Sequence, residues 1–290
     1  MKNIFKHPEL IMSYLEKVYK IFFYTVFVRS GIAKSLPALI KCQYLNSSHK
    51  INNNKVNHYL FGMNFIEGWF TKEAAQIFLW IDYIQKKEGI VGNLFEIGAH
   101  HGRSSIMLAL MTDPIKESLG LCDLFSKQEC NISDSGKGDK KILLNNLSSY
   151  FDVINFIEVY EKPSKELTTQ ECKNRRFFHI DGGHSVDETY SDLVVAADSI
   201  VEGGVIAIDD FCNIFYPEVI EGVYKFLNNR KSLAPFALAF NKLFLCNPKK
   251  QSWYLERLCL PELKKYVTKG SLVSYEKQFL GYKVQVVGVG

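Results

Sequence analysis

Residues 177 to 188 read "FFHIDGGHSVDE", two aromatics and an isoleucine leading to Asp181, a glycine pair and His184. A carboxylate there can hold a cation or orient a hydroxyl. A histidine three residues on, with an ordinary pKa of roughly 6.5, can take a proton near neutrality. A second acidic signal ends "GGVIAIDDF", where Asp209 and Asp210 close an apolar run. A third lies in "FEIGAHHGRSSI", with Glu96, Gly98 and Gly102 spaced E-x-G-x-x-x-G before a helical pattern. Glycines at such a turn remove the Cβ atoms that would obstruct a ligand, and the helix start offers unpaired N–H groups to an anionic or zwitterionic one. In "GLCDLF", Asp123 has two oxygens suited to gripping the vicinal diol of a ribose.

These residues need elements to position them. From residue 93 onward the apolar runs "NLFEIG", "SLGLCDLF", "DVINFIEV", "RFFHIDGG" and "GGVIAIDDF" alternate with longer helical patterns. Near-continuous apolar strands imply burial on both faces, so the spacing predicts a doubly wound, mostly parallel Rossmann-like α/β sheet with helices on both sides. Ligands of such sheets lie beyond the carboxyl ends of the strands. Asp181, Asp209 and Asp210 then share one rim, and three crowded carboxylates repel unless a cation sits among them. Their hard oxygens suit a divalent metal such as magnesium, manganese or calcium rather than zinc. The local alternative makes them helix caps, Asp181 for a helix near Val186 and the doublet for one after Pro217.

The remaining pattern is less pointed. Thr71, apolar positions 74, 77, 78, 81 and 84, and Gly89 predict a helix over 72–88. Residues 235–247 read as an antiparallel hairpin closing one sheet edge, and "YKVQVVGVG" as a last strand. His100 and His101 fall at the rim, where solvent contact is the simpler reading. Cys212 reads as packing and Lys249 with Lys250 as a solvated turn. Trp69, Phe70, Phe211, Phe215 and Tyr216 form core more readily than an acceptor wall.

A chain of 290 residues, 47% hydrophobic, supports one large α/β domain with an appendage. Residues 1–58 form a helical N-terminal extension, with an Asn-rich connection over 46–58, and 59–290 the main domain. With 35 basic and 31 acidic residues the net charge of +4 is too balanced for a nucleic-acid partner. Seven scattered cysteines without a CxxC pair point to a reducing compartment, the cytoplasm. The run from Ile21 to Val28 is short of the roughly 20 residues a membrane span needs, and "RSGIAKS" behind it is a poor export cleavage site. A membrane contact through residues 9–28 is the weaker reading, an interfacial helix the form it would take. The sequence is compatible with an oligomer and sets no stoichiometry.

Taken together, "FEIGAHHGRSS", "CDLFSKQECNISDSGKGD", "HIDGGHS" and "GGVIAIDDF" resemble the class I S-adenosylmethionine-dependent methyltransferases, and among them the bacterial macrocin-type sugar O-methyltransferases. The resemblance spans about residues 67–230. It implies that Gly98 and Gly102 line the methionine end of S-adenosyl-L-methionine, that Glu96 supports the motif and that Asp123 holds the ribose. It places Ser164, in "EKPSKEL", near the adenine, although Pro163 replaces the acidic residue usual before such a serine. It further implies a divalent-metal-assisted transfer to a sugar or other small-molecule hydroxyl, magnesium being the expected ion, with Asp181, Asp209 and Asp210 as ligands and His184 as base. Rival readings are a metal-independent N-methyltransferase, a non-catalytic scaffold that keeps the fold, and a nicotinamide oxidoreductase. The absence of G-x-G-x-x-G at the first turn weakens the last.

Overall fold

The computed structural model describes residues 54–132, 134–258 and 272–289. Its strands are β1 (Asn93–Ile97), β2 (Leu119–Asp123), β3 (Ile157–Glu161), β4 (Arg175–Ile180), β5 (Ile200–Ile208), β6 (Ala234–Ala239), β7 (Lys242–Cys246), β8 (Leu272–Phe279) and β9 (Tyr282–Val289). Helices α1 (Asn54–Gly62), α2 (Lys72–Lys87), α3 (Arg103–Met111), α4 (Lys140–Tyr150), α5 (Thr169–Cys172), α6 (Val186–Ala197), α7 (Pro217–Asn229) and α8 (Gln251–Arg257) connect or flank them. The sheet order is β3-β2-β1-β4-β5-β7-β6-β9-β8. Strands β1 to β5 pair in parallel, and β7 runs antiparallel to both β5 and β6. The strand order therefore reverses at β1, the place where α/β sheets open a ligand crevice.

Burial on both faces follows the two-residue period of the strands. Leu94, Phe177, Val205 and Phe244 face one apolar layer with residues of α1 to α4, and their neighbours Phe95, Phe178, Ile206 and Leu245 face a second layer with α6 and α7. On α2 the Thr71 hydroxyl accepts from the Ala74 amide at 3.2 Å, and the expected stripe of Ala74, Ile77, Phe78, Ile81 and Ile84 is buried.

Three details differ from the sequence reading. The hairpin β6–β7 lies inside the sheet, because β9 pairs in parallel with β6 and β8 forms the edge. Strand β8, "LVSYEKQF", escaped notice because its alternation carries charge and an exposed Tyr275 instead of an apolar face. The polar connection drawn over 46–58 has its last five residues in α1, whose Val56, Tyr59 and Leu60 join the core, so the boundary drawn between residues 58 and 59 falls within a helix. Residues 1–53, with the stretch 9–28, lie outside the described residues. No helix among the described residues is long and apolar enough to cross a membrane.

At the amino end of β4, opposite the rim, Arg176 is fully buried. Its Nε meets Glu117 Oε1 at 2.7 Å, and an Nη reaches Asp82 Oδ1 at 2.9 Å and the Met111 carbonyl at 2.9 Å. One guanidinium thus holds α2, the end of α3 and the approach to β2. Arg176→Met leaves Glu117 without its cation and Asp82 with Lys86 alone, and is expected to destabilise the fold by about 3–5 kcal/mol, read as a lowered urea midpoint; a loss below about 1 kcal/mol contradicts this role.

Asp192 of α6 is a second buried charge, with Oδ2 packed against Gly182. Burial pushes its pKa up to about 7, the Ser164 hydroxyl pulls the other way and Glu188 adds to the rise. Because the folded pKa lies above the unfolded one, ionisation opposes folding, and stability falls as pH rises from about 4 towards 7 and then levels. Asp192→Asn is expected to flatten that slope and raise stability at pH 8 by about 2–4 kcal/mol, measured by denaturation at both ends of the window. An unchanged slope contradicts it.

Candidate active site

Strand β1 delivers Glu96 into the interior rather than to a ligand. The carboxylate is fully buried, accepts the Ser105 hydroxyl of α3 and meets His179 Nδ1 of β4 at 2.8 Å. Glu96 thus ties the first helix and the fourth strand beneath the glycine turn. Gly98 follows at φ 91°, and a Cβ there would lie 1.8 Å from the Asp181 carbonyl oxygen, so only glycine lets the β1 and β4 ends approach. Gly102 stands at the amino end of α3. Asp123 ends β2, its Oδ2 accepting the His100 amide at 2.7 Å and its Oδ1 the Phe125 amide at 3.2 Å. The following loop crosses it, and a Cβ on Gly138 would sit 3.2 Å from both Asp123 oxygens. Ser164 begins a short 3-10 turn after β3, beside Asp192.

The carboxyl ends of β4 and β5 bring the acids together as the parallel sheet requires. Ligand atoms of Asp181, His184 and Asp210 lie within 4.8 Å of one another, and those of His179, Asp181 and Asp209 form an adjoining set of the same span. Asp209 accepts the Asp210 amide at 2.8 Å on Oδ1 and the buried Lys242 ammonium on Oδ2. Asp210, at φ 56°, accepts Nδ2 of Asn213 at 2.8 Å and of Asn241 at 2.9 Å on Oδ1, and faces His184 Nε2 at 2.9 Å with Oδ2. Burial pushes the Asp210 carboxyl up, but its hydrogen bonds from His184, Asn213 and Asn241 together prevail and hold it below its ordinary value. Asp181 is the one of the three whose carboxylate takes no hydrogen bond from a described residue. Burial, then Asp209, Asp210 and Glu96, push its pKa well up, while Lys242 draws it down.

His184 is fixed from three sides. Its ring stacks on Tyr216 at 3.7 Å between centroids and 8° between planes, Nε2 meets Asp210, and Nδ1 lies 3.1 Å from the Ser135 hydroxyl. With the Nε2 proton given to Asp210, Nδ1 carries the lone pair, the arrangement of a general base held by an acid. Neither helix-cap alternative occurs: Ser185 caps α6 in a capping box with Glu188, and α7 starts at Pro217 with no side-chain cap.

A divalent ion needs several free oxygen ligands. Here Asp209 is committed to Lys242 and Asp210 to His184 and two asparagines, so the residues as arranged do not fit a three-carboxylate metal centre. The sequence reading overlooked Lys242, Asn213, Asn241, Ser105 and His179. The signal for Lys242 was available: a single lysine inside "ALAFNKLFLC" cannot reach solvent if both strands are buried. Of the aromatic set, Phe70 and Phe211 are core, whereas Trp69 is 75% and Phe215 78% exposed. Cys212 is exposed rather than packed.

Residues 95–211 match the methyltransferase domain family. No curated protein is similar enough in sequence to count as a relative. Among solved structures, the O-methyltransferase NovP superposes with a TM-score of 0.52 at 11% identity, over 61% of this chain and 80% of its own. The TDP-rhamnose 3'-O-methyltransferase CalS11, an enzyme of calicheamicin biosynthesis, gives 0.45 at 14% identity over 70% and 99%. The Podospora anserina methyltransferase PaMTH1, solved with S-adenosylhomocysteine, gives 0.48 at 12% over 69% and 90%. The domain match takes in less than half of the chain, including the glycine turn, Asp123, Asp181 and Asp209, and the likeness to NovP is one of fold, in a sheet whose strand order reverses at β1.

Proposed function

We propose that the protein transfers a methyl group to a hydroxyl oxygen of a small molecule, a sugar or other polyol, with His184 as the proton acceptor and Asp181 beside it. The His184–Asp210 pair next to Asp181, whose carboxylate takes no hydrogen bond from a described residue, carries this reading. An alcohol must lose its proton as the new bond forms, and a histidine oriented by a carboxylate is built to take it. A neutral amine has no such need, which sets the N-methyltransferase reading behind it.

S-adenosylmethionine supplies a methyl carbon made electrophilic by its sulfonium. Gly98 and Gly102 offer it backbone without side-chain obstruction, and Asp123 retains lone pairs for two ribose hydroxyls. Gly138 must draw back from Asp123 for a ribose to reach it. Glu96 acts from below, by fixing Ser105 and His179, and Ser164 borders the adenine end. Asp181 orients the acceptor hydroxyl, His184 Nδ1 receives its proton, and Asp210 stabilises the imidazolium that results. The divalent magnesium expected from the sequence enters no step here. Trp69 beside His100, and Phe215 next to Tyr216, give the mouth exposed flat apolar faces suited to the C–H faces of a sugar ring. Five described cysteines, all unpaired, favour a reducing compartment such as the cytoplasm.

His184→Ala is expected to lower kcat about 10²–10⁴-fold while leaving S-adenosylmethionine binding, measured by calorimetry, within about threefold. Full turnover by the variant removes His184 as base. Absence of cofactor binding by the unaltered protein would favour the scaffold reading instead.

A further inference from the structure

We infer that the Lys242 ammonium, not a divalent ion, is the resident cation of this acidic rim. The inference rests on the hydroxyl-transfer reading above and concerns how that site balances its charge. Lys242 opens β7, and the antiparallel register that pairs its neighbour Leu243 with Ile208 sets it beside the end of β5. It is 2% exposed, bonded to Asp209 Oδ2, with its ammonium 5.2 Å from the Phe70 ring centroid. A lysine stem runs through apolar core so that its head can stand among the acids.

A metal on the same oxygens meets two obstacles. Asp209 would have to release Lys242, leaving a buried ammonium unpaired and a few ångströms from the incoming ion. Asp210 would have to release His184 and its two asparagine donors, undoing the pair that orients the base. Lys242 is accordingly a positioning residue: it holds Asp209 in place at the end of β5, next to Asp181. The neighbouring buried His179 fits the same picture, with Nδ1 on Glu96 and Nε2 3.9 Å from Asp209 Oδ2, linking the glycine turn to the Lys242 pair.

The test titrates manganese into the full chain and follows the free ion by electron paramagnetic resonance, with S-adenosylhomocysteine calorimetry on every sample. The unaltered protein is expected to bind the cofactor product and no stoichiometric manganese at millimolar ion. Lys242→Met, which keeps the stem and removes the charge, is expected to bind one manganese at least about tenfold more tightly, and Lys242→Arg to behave as the unaltered chain. If Lys242→Met fails to fold, as judged by lost product binding, Lys242→Gln takes its place. One manganese bound tightly by the unaltered chain and lost in Asp181→Asn overturns the inference, as does a Met or Gln variant as indifferent to manganese as the parent. A parent that does not bind the cofactor product is a different result and refutes the proposed function itself.

Discussion

Carboxylate crowding at the ends of β4 and β5 is the constraint from which this structure follows. Asp181, Asp209 and Asp210 sit where a parallel sheet must put them, and their mutual repulsion in a half-buried rim has to be relieved. The fold relieves it locally and unequally. Lys242 satisfies Asp209, while His184, Asn213 and Asn241 satisfy Asp210. Asp181 keeps its open valence. That inequality separates the three: one acid is tied to Lys242, one orients a histidine, and one takes no hydrogen bond from a described residue.

The rim is stiffened from beneath. The Ser105–Glu96–His179 chain joins α3, β1 and β4, and the close approach of Gly98 to the Asp181 carbonyl locks the glycine turn to the acid that follows β4. The glycine turn and Asp181 are therefore held at one fixed separation. The loop after β2 is the contrasting element. Ser135 reaches His184 and Gly138 covers Asp123, so one segment touches both residues.

Much of this was legible in the residues. Apolar strands punctuated by helical patterns gave the doubly wound sheet, and strand-end acids gave the rim, because strand direction alone dictates where each Asp emerges. The helix over 72–88 was plain from its cap and its stripe. What stayed hidden depends on pairing between distant strands. Lys242 meets Asp209 only through the antiparallel register of β7 on β5, and that register is invisible in either segment alone. Strand β8 was masked by its polar alternation, and the placement of β6–β7 inside the sheet required knowing that β9 pairs beyond it. The expectation of a metal rested on a count of strand-end acids, in which the lysine that the hairpin sets on Asp209 had no place.

A crystal structure grown with S-adenosylhomocysteine and manganese tests the central claim most directly. The account predicts nucleoside density against Gly98 and Asp123, the sulfur facing the space bounded by Asp181 and His184, and the Lys242 ammonium still on Asp209 without an anomalous peak among the carboxylates. An ion ringed by Asp181, Asp209 and Asp210 with Lys242 turned away, or a nucleoside bound elsewhere on the sheet, would contradict it.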